Sequence, residues 1–275
     1  MTLASFFSAN DPVVAVRVAR VEGSAPREEA ATMFVARDAL HGTIGGGQLE
    51  YMAIDEARKL IARRGSGTEM ILPLGPEIGQ CCGGRVTLAL SLMTEADRCA
   101  AIAAADRREA EAPRVLIFGA GHTGRALSAA LSLLPVNALL IDARAEELAL
   151  APPDAPARLT AVPEAEVRAA PPGAAYVILT HDHALDFLIA AEALARGDAV
   201  YVGMIGSATK RAAFANWMRR EEIGAASALT CPIGAGGAGD KRPEVIAAHV
   251  AAEIMAAFST CECIGHVNAS ASEVR

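Results

Sequence analysis

Two cysteines stand side by side among glycines in Gly79-Gln80-Cys81-Cys82-Gly83-Gly84-Arg85. Adjacent cysteines can pair only through a strained ring, so a structural disulfide is not expected between them. Glycine N–H groups and the charge of Arg85 favour a thiolate at such a place. A loop thiolate is either a ligand for a soft metal or a nucleophile that handles sulfur. The plainer reading is two small hydrophobes buried in a turn. Cys81 and Cys82 are therefore candidate cofactor or metal contacts.

A second group of residues has the spacing of a dinucleotide-binding turn, Gly119-Ala120-Gly121-His122-Thr123-Gly124, with Asp142 beyond it. The first glycine permits a tight turn, the second lets a ligand phosphate reach the backbone, and the third lets the next helix lie close to its strand. Asp142 falls about 20 residues on, where an acid meets a ribose hydroxyl. Gly119, Gly121, Gly124 and Asp142 are candidate binding residues. His122, inside the turn, is one too, since it faces whatever lies there.

A third group, His181-Asp182-His183-Ala184-Leu185-Asp186, puts two imidazoles and two carboxylates within six residues. It reads as a metal site or acid–base pair, or as a helix cap beside a ring packed on a sheet. No spacing typical of a zinc site accompanies it. Fourth, Gly45-Gly46-Gly47-Gln48 runs straight into a helical pattern. Glycines at a helix start make either an anion site or a tight turn without a ligand. Ser207, after Gly203-Met204-Ile205-Gly206, is the last candidate.

These residues need elements to hold them. Residues 115–118, 138–141 and 175–180 are apolar runs with the length and composition of buried parallel strands. Residues 125–134, 187–196, 208–220 and 243–258 read as helices, the last opened by Pro243. With 200–202 as a further strand, the second half of the chain is a Rossmann-like, doubly wound parallel sheet. The Gly119 turn, Asp142, the His181–His183 loop and Ser207 all fall at carboxyl ends of its strands, where such sheets bind ligands.

The first half reads differently. Residues 13–21 alternate apolar with other residues, as a half-buried strand does. Strands at 31–37, 69–73 and 86–93, a turn at 38–42 and a helix at 49–63 complete a smaller α+β domain. The expected division is 1–94 for this domain, 95–112 for a helical or loose connector, 113–260 for the Rossmann-like domain and 261–275 for a flexible tail. Cys261, Cys263 and His266 in that tail could imitate a metal clip, but a frayed terminus is the expectation.

At 275 residues and 52% hydrophobic, the chain can bury a sizeable core. A net charge of -7 argues against nucleic acid, which calls for a basic face. No run of about 18 uninterrupted apolar residues occurs, so no membrane span is expected. The first 12 residues lack the basic start of a signal peptide. A cytoplasmic protein with six reduced cysteines is the expectation.

Taken together, the motifs resemble the xanthine dehydrogenase accessory protein family, XdhC, with its CoxI-like relatives. The resemblance rests on Gly23-Ser24-Ala25-Pro26-Arg27, residues 42–50, the block 74–84 with its cysteine pair, residues 118–124, Asp142-Ala143-Arg144, residues 180–186, Gly203-Met204-Ile205-Gly206-Ser207 with Lys210-Arg211, and Cys231-Pro232-Ile233-Gly234. Gln48 stands where many CoxI-like relatives carry cysteine, which favours the xanthine-dehydrogenase branch. Residues 235–239 are richer in glycine and alanine than the family pattern.

The resemblance implies a chaperone, with no catalytic residues of its own. It would bind the molybdenum cofactor, a pterin dithiolene (molybdopterin) with a phosphate tail. It would hold it while a cysteine desulfurase exchanges an oxo ligand for sulfur, then insert it into apo-xanthine dehydrogenase. A homodimer is implied as well. On this reading Cys81 and Cys82 are the molybdenum or sulfur contacts. The alternative is an NAD(P)-dependent oxidoreductase with His183 or Lys210 as proton donor. Asp142 would favour NAD, and Arg144 leaves NADP open. A purely structural Rossmann unit that dimerises is a third reading.

Overall fold

The structure is a computed structural model that describes residues 1–75, 83–224, 226–236 and 239–272, with side chains to Cys261. Cys81 and Cys82 lie outside the described residues. The chain divides into two units, Met1–Arg108 and Glu109–Arg275.

In the first unit, alternation makes a sheet with two different faces. Its elements are α1 (Leu3–Ala9), β1 (Val14–Glu22), β2 (Thr32–Val35), β3 (Leu40–Gly42), α2 (Gly47–Arg63), β4 (Gly67–Pro73) and β5 (Arg85–Leu92). The strands form one antiparallel sheet in the order β3-β2-β1-β5-β4. Val14, Val16 and Val18 of β1 project to one side and are buried with Met33, Val35, Leu88 and Leu90. Against that face lies α2, whose Leu49, Ala53, Ala57 and Leu60 recur at helical spacing and form its apolar stripe. A second cluster gathers Phe6 and Phe7 of α1 with Val13, Met93 and Phe34. The stretch 38–42, expected to be a turn, closes instead with the short strand β3. Its pairing follows from Phe34 lying opposite His41 in the ladder.

The chain leaves this unit within α3 (Glu95–Glu111), so the connector is helical. The second unit adds β6 (Arg114–Phe118), α4 (His122–Leu131), β7 (Asn137–Asp142), α5 (Ala145–Leu148), β8 (Ala157–Leu159), α6 (Pro163–Ala169), β9 (Ala175–Ile178), α7 (His183–Ala195), β10 (Tyr201–Met204), α8 (Ala208–Arg220), β11 (Leu229–Thr230) and α9 (Pro243–Ser272). Its six strands form a sheet in the order β11-β10-β9-β6-β7-β8, parallel throughout. All residues of β9 and β10 are buried, as strands covered on both faces must be. Val115 and Ile117 pack with Leu127 of α4 and with Val250 and Ile254 of α9. Leu116 and Phe118 point the other way, towards Val167 of α6, Ile189 of α7 and Phe214 of α8. The protein is thus a mixed α/β chain, with a Rossmann-like parallel sheet following a separate antiparallel one.

Helix α4 starts three residues before the expected 125 and ends three before 134. Its first turn begins directly after Gly121, and Leu134 is the residue before Pro135, a position that disfavours helical backbone. Helix α9 continues past Phe258 to Ser272, and no proline follows Pro243 to stop it. Its stretch Pro243–Cys261 has the length and mean hydropathy, 1.3, of a membrane span. Ala247, Val250, Ala251, Ile254 and Phe258 are buried on the sheet, so one face of the helix packs on the core while 28% of the stretch is buried in all.

Candidate functional site

The strand order of the second unit reverses beside β6. The chain moves from β6 outward to β7 and β8, then returns to place β9 on the other flank of β6. Loops after the carboxyl ends of β6 and β9 therefore border a crevice, the position at which open α/β sheets bind ligands. The two loops are in close contact. The Gly119 backbone has φ +115°, and a Cβ there would lie 2.4 Å from the Leu179 carbonyl oxygen. At Gly124 a Cβ would lie 1.8 Å from the Gly119 carbonyl oxygen, so this glycine is required by packing. Gly121 is different. Its φ is −66°, available to any residue, and a Cβ there would meet nothing within 4 Å. Neither backbone conformation nor packing requires a glycine at 121.

Asp142, at the end of β7, is almost fully buried and already engaged. Its Oδ2 accepts from the Ala120 N–H at 2.7 Å and from Arg144 Nη2 at 2.9 Å. Its Oδ1 accepts from the Arg144 N–H at 2.9 Å and from Arg144 Nε at 3.0 Å. Burial pushes the carboxyl up, but these donors outweigh it and hold it below the usual aspartate range. Behind them, Arg125 Nη1 donates to the Ala120 carbonyl at 2.6 Å and to Glu147 Oε2 at 2.7 Å. The glycine turn is laced by two arginines and two carboxylates.

The loop after β9 is held by a buried acid. Asp186 is fully buried, and its Oδ1 accepts from the Thr180 N–H at 3.0 Å and the Thr180 hydroxyl at 2.7 Å. Its Oδ2 pairs with Lys210 Nζ of α8 at 2.5 Å, and the same ammonium donates to the Ile205 carbonyl at 3.0 Å. Asp186 and Lys210 thereby tie the loop after β9 to the loop after β10. Ser207 caps α8, accepting from the Lys210 N–H at 3.3 Å. Cys231, buried nearby, donates its thiol to the Ser207 carbonyl at 3.9 Å. Burial pushes this thiol up despite the opposing charges of Lys210 and Arg211, so it rests as the neutral thiol.

The histidines stand apart from these bonds. His122 is exposed in the first turn of α4, and His181 and His183 are exposed around the start of α7. Asp182 caps α7, accepting from the Ala184 N–H at 2.8 Å. His183 borders an apolar depression of about 370 Å³ with Ala184, Phe187, Leu188 and Trp217. Among the described residues, no group of three or more His, Cys, Asp or Glu side chains is placed to hold a metal ion.

The Gly45-Gly46-Gly47 loop belongs to the first unit. All three glycines have positive φ, and Gln48 is exposed in the first turn of α2. The anion already held there is Glu50. Its Oε2 accepts from the Thr43 hydroxyl at 2.5 Å, the Ile44 N–H at 3.0 Å and the Gly46 N–H at 3.1 Å. Burial raises this carboxyl, while Thr43 and the loop N–H groups lower it further, and the net position is below normal.

Sequence reading assigned no role to Glu50, Arg125 or Glu147, and gave Arg144 only a bearing on NADP. A signal existed for two of them. An acid in the first turn after a glycine loop satisfies free N–H groups, and an arginine two residues past a strand-end aspartate is within reach of it. The Arg125–Glu147 pair joins residues 22 apart and has no local signal.

Comparison with known proteins follows the same division of the chain. The family described as XdhC Rossmann domain matches residues 115–254, and the XdhC and CoxI family matches residues 7–71. The chain belongs to the XdhC family. The XdhC match contains the whole crevice, from the Gly119 turn to Cys231, and the match to residues 7–71 contains the Gly45–Gly47 loop and Glu50. A curated relative, the uncharacterized protein YqeB of Escherichia coli (strain K12), is 26% identical over 142 residues. That match takes in 50% of this chain and only 23% of YqeB. A crystal structure described as a xanthine dehydrogenase from Bacillus halodurans superposes with a TM-score of 0.80 at 18% identity, covering 94% of this chain and 96% of that one. At that identity the likeness concerns the fold alone.

Proposed function

We propose that the chain serves xanthine dehydrogenase maturation as an accessory protein that carries the molybdenum cofactor. It takes the cofactor as cargo, keeps it while a cysteine desulfurase supplies the terminal sulfur, and releases it to the apo-enzyme. Family membership supports the maturation role. The observation that carries cargo binding is Gly121: open space in front of a helix start, at a glycine the fold does not need. A phosphate tail fits such a cradle. Cys81 and Cys82 are assigned to the molybdenum or its sulfur, because thiolates are the soft donors that this chemistry requires.

The oxidoreductase reading draws on the same Rossmann turn. It is the weaker one, because the carboxylate that should meet the ribose is already fully bonded. The carrier is proposed to be cytoplasmic and homodimeric, with surfaces for the desulfurase and the apo-enzyme. Its acidic charge would steer it towards basic patches on them.

The test is direct. Protein purified from cells that make the cofactor should show pterin absorbance and molybdenum by metal analysis. The Cys81→Ala, Cys82→Ala double variant should fold normally and lose both signals. A double variant that still delivers sulfurated cofactor to apo-xanthine dehydrogenase would make these thiols packing residues. Reduction of NAD or NADP with any substrate of a small panel would instead favour the oxidoreductase. Light scattering checks the dimer, and a monomer at all concentrations would remove it.

A further inference from the structure

A Rossmann turn recognises NAD through the carboxylate at the end of its second strand, which accepts hydrogen bonds from the adenosine ribose diol. In this protein every acceptor direction of that carboxylate is used from within. The Ala120 N–H and Arg144 Nη2 occupy Oδ2, and the Arg144 N–H and Nε occupy Oδ1, all between 2.7 and 3.0 Å. The Asp142 side chain is 5% exposed beneath Arg144, whose own side chain is 29% exposed and so forms the outer layer. Glu147 backs the arrangement, with Oε1 3.6 Å from Arg144 Nη1 and Oε2 2.7 Å from Arg125 Nη1.

We infer that Arg144 is a specificity-determining residue that stands in for the ribose diol and closes the Gly119–Gly124 turn to NAD. A diol can reach Asp142 only by displacing a guanidinium fork, and two neutral hydroxyls do not replace charge-assisted bonds of this geometry. The remaining partners of Asp142, the Ala120 N–H and the backbone N–H of residue 144, are main-chain donors and stay in place when the Arg144 side chain is truncated. Truncating Arg144 therefore leaves a Rossmann turn with an accessible acid, which is the arrangement that selects a free diol over a 2′-phosphate. The contact concerns nucleotide selection and holds whatever cargo the chain carries.

Calorimetric titration of the full-length protein with NAD and with NADP tests this. Wild type should bind NAD with a Kd in the millimolar range or weaker. Arg144→Ala should bind NAD at least tenfold more tightly, with no comparable gain for NADP, because a 2′-phosphate would face the bare Asp142. Adding Asp142→Asn to Arg144→Ala should abolish the gain. Circular dichroism melts establish that each variant is folded, and Arg144→Met, which keeps the apolar stem, replaces the alanine variant if that one is not. Micromolar NAD binding by wild type would overturn the inference. So would a folded Arg144 variant that binds NAD no more tightly, or one that gains equally for NADP.

Discussion

Lys210 Nζ stands 2.5 Å from Asp186 Oδ2, and the two side chains are 10% and 0% exposed. The pair joins the loop after β9 to the start of α8, and so fixes the β9 side of the crevice. Lys210→Met should cost about 3–5 kcal/mol, because it strands a buried carboxylate. Lys210→Met with Asp186→Leu should recover most of that loss. Chemical denaturation of the single and double variants measures both. A single-variant loss under about 1 kcal/mol would mean that water reaches Asp186 and that the pair does not hold the loops.

Gly121 and Gly124 should respond oppositely to alanine. Gly124→Ala drives a Cβ into the Gly119 carbonyl and should destabilise the protein by about 2–3 kcal/mol or more. Gly121→Ala meets no atom within 4 Å and should leave the melting temperature within the change expected of a surface substitution, about 0.5 kcal/mol. It should nevertheless lower the amount of pterin that co-purifies. Equal loss of stability in both variants would remove the case for a ligand at Gly121.

Glu50→Ala withdraws the acceptor of the Ile44 and Gly46 N–H groups and of the Thr43 hydroxyl. A cost of about 1–2 kcal/mol is expected, as for loss of a helix cap. Thermal unfolding checks it. If the glycine loop instead holds an external anion, the variant should be restored by phosphate, and stability that rises with phosphate in Glu50→Ala but not in wild type would show that.

The pH dependence follows from the depressed carboxyl of Asp142. Its folded-state pKa lies below its unfolded value, near the usual 3.9 for aspartate. Its contribution is therefore complete above about pH 4 and is lost as pH falls through the lower, folded-state value. Glu50, also depressed, acts in the same direction from its own unfolded value of about 4.3. Wild type should lose stability below about pH 4 more steeply than Asp142→Asn or Glu50→Ala. Parallel acid-unfolding curves for all three would show that neither carboxylate is bonded as described.

Much of the fold was legible because periodicity and punctuation are local. The runs at β6, β7 and β9 are apolar without alternation, so a parallel sheet covered on both faces follows from composition alone. The alternation of Val14, Val16 and Val18 signalled a sheet with one core face in the same way. Helix α8 was bounded correctly at Ala208 and Arg220, and in the fold Ser207 caps its start. Short elements were missed for a physical reason. The strands β3 and β11 have three and two residues, and α5 has four, too few to show a period. They exist because neighbouring edges and loops offer their backbones partners.

The chain alone named the glycines, Asp142, Asp186 and Lys210, and their order placed them at strand ends where a crevice must form. Which bonds they make was decided only in three dimensions. A carboxylate takes whichever donors folding brings within 3 Å, and those of Asp142 come from a turn 22 residues away as well as from Arg144. The distinction between Gly121 and Gly124 has the same origin. In sequence both are glycines of one motif, but only the packing of α4 against the loop shows that one is required by the fold and the other leaves room.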